Sequence, residues 1–94
     1  GGENIYPAEI ERVLLSDSRI ADAIVVKKPD EKWGEVPIAV VVPAAEIDAE
    51  AVIELCRAEL AGYKRPKGVL FVGMDDLPRS VSGKILREEV EKLV

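Results

Sequence analysis

The chain has 94 residues and a mass of 10.2 kDa, which corresponds to one small domain and excludes a multidomain enzyme within this polypeptide. Hydrophobic residues make up 48% of it, so we expect a packed core rather than a disordered chain. A net charge of −5 argues against general nucleic-acid binding, and one cysteine with no histidine excludes zinc sites and Cys/His or Ser/His catalysis within the chain.

The first half of the chain is predicted to form a helix followed by two antiparallel strands. The spacing of apolar residues predicts a helix over residues 7–16, with Pro7 in its first turn. Runs of β-branched residues predict a buried strand over residues 20–27 and a second strand over residues 36–42. The polar segment between them, residues 28–35, is short enough to connect an antiparallel pair.

The middle of the chain is predicted to form a second helix and a third strand. Asp48 is a suitable N-cap for a helix over residues 49–61, and Gly62 marks its end. A short apolar segment then predicts a strand over residues 69–72.

The last part of the chain is predicted to be a loop and a third helix. Residues 73–83 are rich in Gly, Pro and Ser and too polar for the core, which is typical of a functional loop. A final helix is predicted over residues 83–92, with Ser82 as its cap. The expected fold class is therefore α+β, a small three-stranded mixed sheet flanked by three helices in the order αββαβα.

Two features of the chain bear on its origin and location. It opens with Gly1-Gly2 and its only methionine is Met74, so we expect a fragment of a longer protein. No apolar stretch approaches the length of a membrane span, and no signal peptide precedes the domain. We therefore expect a cytoplasmic protein with no membrane span.

Basic residues are concentrated in the second half of the chain. Lys64-Arg65-Pro66-Lys67 is a compact basic turn, and Lys84 follows Gly83 at the expected start of the last helix. Helix N-termini offer unpaired N–H groups and a positive dipole end, so this position suits an anion-binding lysine. A single Gly-Lys pair is equally compatible with an ordinary surface lysine, and the fuller glycine pattern of a P-loop is absent.

Four longer motifs occur in a fixed order along the chain. They are Gly1-Gly2-Glu3-Asn4-Ile5-Tyr6-Pro7-Ala8-Glu9-Ile10-Glu11, Trp33-Gly34-Glu35, Tyr63-Lys64-Arg65-Pro66-Lys67, and Leu77-Pro78-Arg79-Ser80-Val81-Ser82-Gly83-Lys84-Ile85-Leu86-Arg87. In this order and spacing the chain resembles the mobile C-terminal domain of adenylate-forming enzymes, specifically the acyl-CoA synthetases. The resemblance implies that residues 1–94 form that lid domain and lack the large N-terminal adenylation domain.

The resemblance also implies an activity and a catalytic residue. Members of the family use ATP to convert a carboxylic acid into an acyl-adenylate, release pyrophosphate, and transfer the acyl group to coenzyme A. The lysine of the Ser-Gly-Lys motif, Lys84, would contact the carboxylate and α-phosphate oxygens during adenylation. ATP and CoA are then substrates of the parent enzyme, and Mg²⁺ is expected with ATP but not bound by this domain. We expect no metal site in this chain and no activity from it alone.

The same resemblance assigns a CoA-binding face, used after the domain has rotated. Gly1 and Gly2 would line the pantetheine tunnel, where only glycine allows so close a backbone approach. Trp33 and Tyr63 are the expected stacking surfaces for adenine, and Arg65 and Lys67 the expected phosphate contacts. Two structural alternatives stay open, namely that the indole covers an edge of the sheet and that the basic turn is a solvated patch.

Details of the motifs narrow the family and leave one rival function. Ser82-Gly83-Lys84 and Asn4-Ile5-Tyr6 differ from the usual peptide-synthetase and acetyl-CoA synthetase patterns, which favours a fatty-acyl or aryl-CoA ligase. The partners expected are the N-terminal adenylation domain and a carboxylic acid, not nucleic acid. The alternative is a stand-alone ligand-sensing or protein-interaction module of the same size.

Overall fold

The computed structural model describes residues 7–94, apart from the side chain of Tyr63. Its helices and strands confirm the predicted α+β class and the order αββαβα. They are α1 (Pro7–Leu15), β1 (Ile20–Asp30), β2 (Gly34–Pro43), α2 (Ala49–Glu59), β3 (Gly68–Phe71) and α3 (Arg87–Glu91), with short 3₁₀ turns at Gly62–Lys64 and Met74–Asp76.

The three strands form one mixed sheet with β2 in the centre. β2 pairs antiparallel with β1, so that Ala39 lies opposite Val25, and parallel with β3, so that Val40 lies opposite Leu70. The hairpin connection is short, whereas the parallel connection between β2 and β3 passes through α2, as parallel pairs require. The predicted mixed sheet is therefore confirmed.

The β1–β2 hairpin is longer than the sequence predicted, because most of the expected loop 28–35 is strand. The carboxylate of Asp30 accepts hydrogen bonds from the backbone N–H groups of Lys32 (2.8 Å) and Trp33 (3.0 Å). Gly34 has a φ of +83°, which favours glycine. This side-chain turn closes the hairpin within three residues, so the flanking residues are free to pair.

The core lies on both faces of the sheet, which explains why the strands read as continuous apolar runs. α1 and α2 pack on one face, and the segment from Leu77 to the C-terminus packs on the other. The first face buries residues such as Ile10, Leu14, Val25, Val41, Val52 and Cys56, and the second buries Ile24, Val26, Val40, Leu77 and Val90.

Asp48 caps α2 as predicted, with its carboxylate 2.8 Å from the N–H of Ala51. Three other details differ from the sequence-based expectations. The helix nevertheless ends at Glu59, because the next residue is already extended, and Gly62 begins a 3₁₀ turn without the positive φ of a glycine C-cap. The segment expected to be too polar for the core contributes Leu77, which is 4% exposed.

The predicted helix over residues 83–92 is wrong in its first half. α3 comprises only Arg87–Glu91, and the residue before it provides no side-chain cap. Ile85 instead forms an antiparallel bridge with Arg79, and the N–H of Leu86 donates to the carbonyl of Pro78 at 2.9 Å. Because these backbone groups bond across a turn rather than along a helix, Ser82 is not a helix cap and Lys84 is not at a helix N-terminus.

Candidate functional site

Lys84 lies at the end of a tight hairpin turn. The N–H of Ser80 donates to the carbonyl of Lys84 at 2.9 Å, and the N–H of Gly83 donates to the carbonyl of Ser80 at 2.8 Å. Gly83 has a φ of +89°, a conformation that costs other residues energy. The turn thus fixes the direction of the backbone at Lys84. Val81, at the tip of the turn, is fully exposed.

The ammonium group of Lys84 is accessible and can bind an anion. Its side chain is exposed, and among residues 7–94 it forms no hydrogen bond or ion pair. The absence of a competing carboxylate within this part of the chain leaves all three N–H groups for a ligand. The geometry therefore suits the predicted role, although the helix dipole makes no contribution.

A residue that the motif analysis left without a role holds this turn to the sheet. One guanidinium nitrogen of Arg79 donates to the carbonyl of Gly83 at 2.9 Å, and the other lies 2.9 Å from a carboxylate oxygen of Asp22 in β1. The sequence did contain a signal, because Asp22 is an acidic residue within the otherwise apolar segment 20–26 of β1. Its partner, 57 positions away, could not be identified from local pattern.

Lys67 and Trp33 lie toward the other end of the sheet. The N–H of Lys67 donates to the carbonyl of Pro37 at 2.8 Å, which fixes the basic turn beside the first part of β2. Trp33 precedes Pro37 by four residues, or about 13 Å of extended strand. The structure thus brings these two segments to the same half of the sheet.

The indole of Trp33 is 47% exposed at the tip of the hairpin. The ammonium of Lys32 lies 5.0 Å from the ring centroid, a distance typical of a cation–π contact. An exposed aromatic ring with a neighbouring cation suits a planar anionic ligand. The side chain of Tyr63 lies outside the described part of the structure, so its predicted position beside Trp33 stays a prediction.

The basic turn is more than a solvated patch. The guanidinium of Arg65 donates to the carbonyls of Leu60 (2.9 Å) and Arg57 (3.3 Å), and so caps the C-terminal end of α2. Lys64 forms an ion pair with Glu9 of α1 at 3.1 Å. Two of the basic side chains therefore have structural partners, whereas that of Lys67 is exposed. A phosphate contact for Arg65 stays a prediction, as do the roles of Gly1 and Gly2, which lie outside the described residues.

The lysine turn and the hairpin tip lie at opposite ends of the sheet. Asp22, which anchors the turn, is eight residues from Asp30 at the hairpin, so about 26 Å of strand separates them. The two groups of residues therefore lie too far apart to contact the same small anion. Cys56 is no alternative nucleophile, because burial raises the pKa of its thiol to about 11.

Comparison with known proteins identifies a family and its members. The family model described as AMP-binding enzyme C-terminal domain matches residues 9–84. The 2-succinylbenzoate–CoA ligase of Bacillus cereus (strain ATCC 10987 / NRS 248) is 52% identical over 94 residues, which are 100% of this chain and 19% of that protein. The chain thus spans about a fifth of the length of the curated relatives it matches.

Solved structures give the same relationship in three dimensions. An o-succinylbenzoate CoA synthetase of Bacillus subtilis bound to a product analogue superposes with a TM-score of 0.89 at 46% identity, covering 97% of this chain and 18% of that one. A fatty acyl CoA synthetase of Mycobacterium tuberculosis superposes with a TM-score of 0.84 at 42% identity, covering 100% of this chain and 19% of that one.

Among residues 7–94, no helix is long and apolar enough to cross a membrane.

Proposed function

This chain belongs to the family of AMP-binding enzyme C-terminal domains, as its four motifs predicted, and on that premise we propose that residues 1–94 are the mobile C-terminal domain of an ATP-dependent acid–CoA ligase. In the first half-reaction a carboxylate oxygen attacks the α-phosphorus of ATP, the bond to the bridging oxygen breaks, and pyrophosphate leaves. In the second, the thiolate of CoA attacks the acyl carbon and AMP leaves. No redox step is involved.

The relatives favour an aromatic acid as the substrate. Curated relatives at 50 to 52% identity are named 2-succinylbenzoate–CoA ligases. Among the solved structures, o-succinylbenzoate CoA synthetases are 42 to 46% identical and the fatty acyl CoA synthetase is 42% identical. We therefore propose 2-succinylbenzoate as the first acid to test, ahead of fatty acids. The acyl pocket belongs to the partner of this domain, the N-terminal adenylation domain of the same polypeptide, so none of the 94 residues is proposed to select the acid.

The observation that carries the proposal is the position of Lys84. Its exposed ammonium lies next to a tight turn, where it is accessible to a site formed by another domain. The substrate carboxylate and the α-phosphate are both anions, so they repel each other as they approach. A fixed ammonium between them offsets that repulsion and stabilises the negative charge on the phosphate oxygens. No general base is needed, because the carboxylate is already ionised at neutral pH.

The hairpin end of the domain is proposed to meet CoA in the second half-reaction. Trp33 offers an exposed ring for the adenine, with Lys32 beside it, and Lys67 offers an ammonium for the phosphates. Tyr63, Arg65, Gly1 and Gly2 complete the proposed CoA set. About 26 Å of strand lies between Asp22, which binds the lysine turn, and Asp30 at this end, and that placement supports a rotation of the domain between the half-reactions.

Mg²⁺ is proposed to enter with ATP and to be held outside this domain. The structure brings no group of three or more Asp, Glu, Cys or His side chains of residues 7–94 together for a metal ion. The N-terminal domain would then supply the metal ligands as well as the site for the ATP base. We propose a cytoplasmic location, where ATP and CoA are both available.

The half-reactions of the complete ligase test this function. Lys84→Ala should reduce pyrophosphate release with 2-succinylbenzoate about 100- to 1000-fold, the effect of removing a fixed charge from a preorganised site. Transfer from a preformed acyl-adenylate to CoA should change much less, because the lysine is then withdrawn. Equal losses in both half-reactions, or wild-type adenylation by the variant, would contradict the role of Lys84. Absence of adenylation by the unsubstituted complete protein would favour the sensor or interaction module.

A further inference from the structure

The side chain of Arg79 links the turn that carries Lys84 to the sheet. Within residues 78–86 the backbone hydrogen bonds close the hairpin on itself, through Ser80, Gly83 and Leu86. Among the residues that the structure describes, the polar link from this hairpin to the sheet is the pair of Arg79 and Asp22. The rest of its attachment is apolar packing of the hairpin base.

The guanidinium of Arg79 binds both the turn and strand β1. One terminal nitrogen donates to the carbonyl of Gly83, the residue immediately before Lys84, at 2.9 Å. The second lies 2.9 Å from the carboxylate of Asp22 and 3.5 Å from the sulfur of Met74. The planar guanidinium therefore fixes the distance and the angle between the turn and β1, which a lysine at this position could not do.

The anchor on the sheet is itself held in place. One carboxylate oxygen of Asp22 accepts from the N–H of Ala23 at 2.9 Å, and the other binds Arg79. The strand position lies opposite Val42, next to a register shift between Ile20 and Asp22. Ala23 and Ile24, the next two residues of β1, are buried on opposite faces of the sheet. The pair thus connects a packed strand to the turn.

We propose that Asp22 and Arg79 are positioning residues that aim the ammonium of Lys84 at the reacting phosphate. This inference rests on the proposed function, since it assigns the pair a part in adenylation. Neither side chain touches the reactants. Arg79 acts through the carbonyl of Gly83, and Asp22 acts through Arg79. Catalytic groups lose much of their effect when they are displaced by about 1 Å, so a loosened turn should slow adenylation.

A purely structural role predicts something different. The two side chains are 33% and 24% exposed, and exposed ion pairs contribute little to stability. Removing the pair should therefore leave the domain folded, and the transfer half-reaction, which does not use Lys84, should continue. If the pair positions Lys84, its removal should slow adenylation and leave transfer unchanged, whereas a loss of folding would slow both half-reactions.

The test uses the complete ligase and measures each half-reaction in single turnover. Arg79→Ala, Arg79→Lys and Asp22→Asn should each reduce pyrophosphate release with 2-succinylbenzoate about 10- to 100-fold. Transfer from preformed acyl-adenylate to CoA should stay within about twofold of wild type. The matched control is Arg57→Ala, which removes an arginine paired with Glu54 on α2 and should change neither half-reaction.

A double variant distinguishes positioning from direct contact with the reactants. If Arg79 acts only through Lys84, then Arg79→Ala should have no further effect on adenylation in a Lys84→Ala background. Additive losses, or equal losses in both half-reactions, would overturn the positioning role, and so would wild-type adenylation by Arg79→Ala. If the unsubstituted ligase does not adenylate, the proposed function fails, and if Lys84→Ala adenylates normally, the role of Lys84 fails. Both results are separate from failure of the Arg79 variants alone.

Discussion

The carboxylate of Glu11 and the guanidinium of Arg87, 76 positions apart in the chain, meet at 3.0 Å beside Val25. The same oxygen of Glu11 accepts from the N–H of Val25 at 2.7 Å, and Arg87 donates to the carbonyl of Val25. Two side chains from α1 and α3 therefore satisfy the backbone at the edge of β1 that β2 does not cover. Open sheet edges invite pairing with other chains, so this arrangement also protects the domain.

Removing this edge contact should destabilise the 94-residue chain. Glu11→Ala leaves the N–H of Val25 without its acceptor, and we expect a loss of about 1–3 kcal/mol in the free energy of unfolding. Arg87→Ala should cost less, about 1 kcal/mol, because its side chain is 43% exposed. Urea unfolding measures both. Arg57→Ala, at an exposed pair, should change stability by less than about 0.5 kcal/mol, and equal effects from all three variants would contradict this role.

Gly83 and Gly34 provide a matched pair of backbone tests. Both have positive φ, +89° and +83°, and a Cβ at either would meet nothing within 4 Å. Substitution by Ala therefore costs only conformational energy, about 1–2 kcal/mol of stability in each case. Only Gly83→Ala should also slow adenylation in the complete ligase, because that glycine shapes the turn of Lys84. Similar adenylation rates for the two variants would show that the geometry of the turn does not matter.

Lys67 should contribute to CoA binding and not to ATP binding. In the complete ligase, Lys67→Ala should raise the KM for CoA about three- to tenfold while changing the KM for ATP much less. Trp33→Ala should act in the same direction through lost stacking. The difference between Lys67→Ala and wild type should shrink as the salt concentration rises. Arg19→Ala removes a cation near the other end of β1 and should leave the KM for CoA unchanged.

Acid stability should depend in part on Asp17. Hydrogen bonds from the side chain and backbone of Arg19 lower the pKa of this carboxyl from 3.8 to about 2. A carboxyl with a lowered pKa in the folded state stabilises the fold above its unfolded pKa, near 3.8, and loses that contribution as the pH falls through about 2. The difference in stability between wild type and Asp17→Asn should therefore shrink between pH 6 and pH 2 in urea unfolding. A constant difference over that range would contradict the assignment.

The sequence by itself determined the elements whose signal is local. The β-branched runs around Val25 and Val41 predicted strands β1 and β2, and Asp48 predicted the start of α2, because these patterns depend on neighbours in the chain. The four motifs also gave the family, and with it Lys84. Each of these signals lies within a segment of a few residues and does not depend on how the chain closes.

The tertiary structure alone decided what lies next to Lys84. The apolar spacing after Gly83 is compatible with a helix, yet Ile85 bonds back to Arg79, because a turn at Gly83 brings the two segments together. The partner of Arg79, Asp22, is 57 positions away. Such pairings are fixed by the packing of whole elements and the closure of long loops, which no local periodicity encodes. The sequence alone therefore identifies Lys84, whereas the position of its side chain depends on contacts that only the folded chain makes.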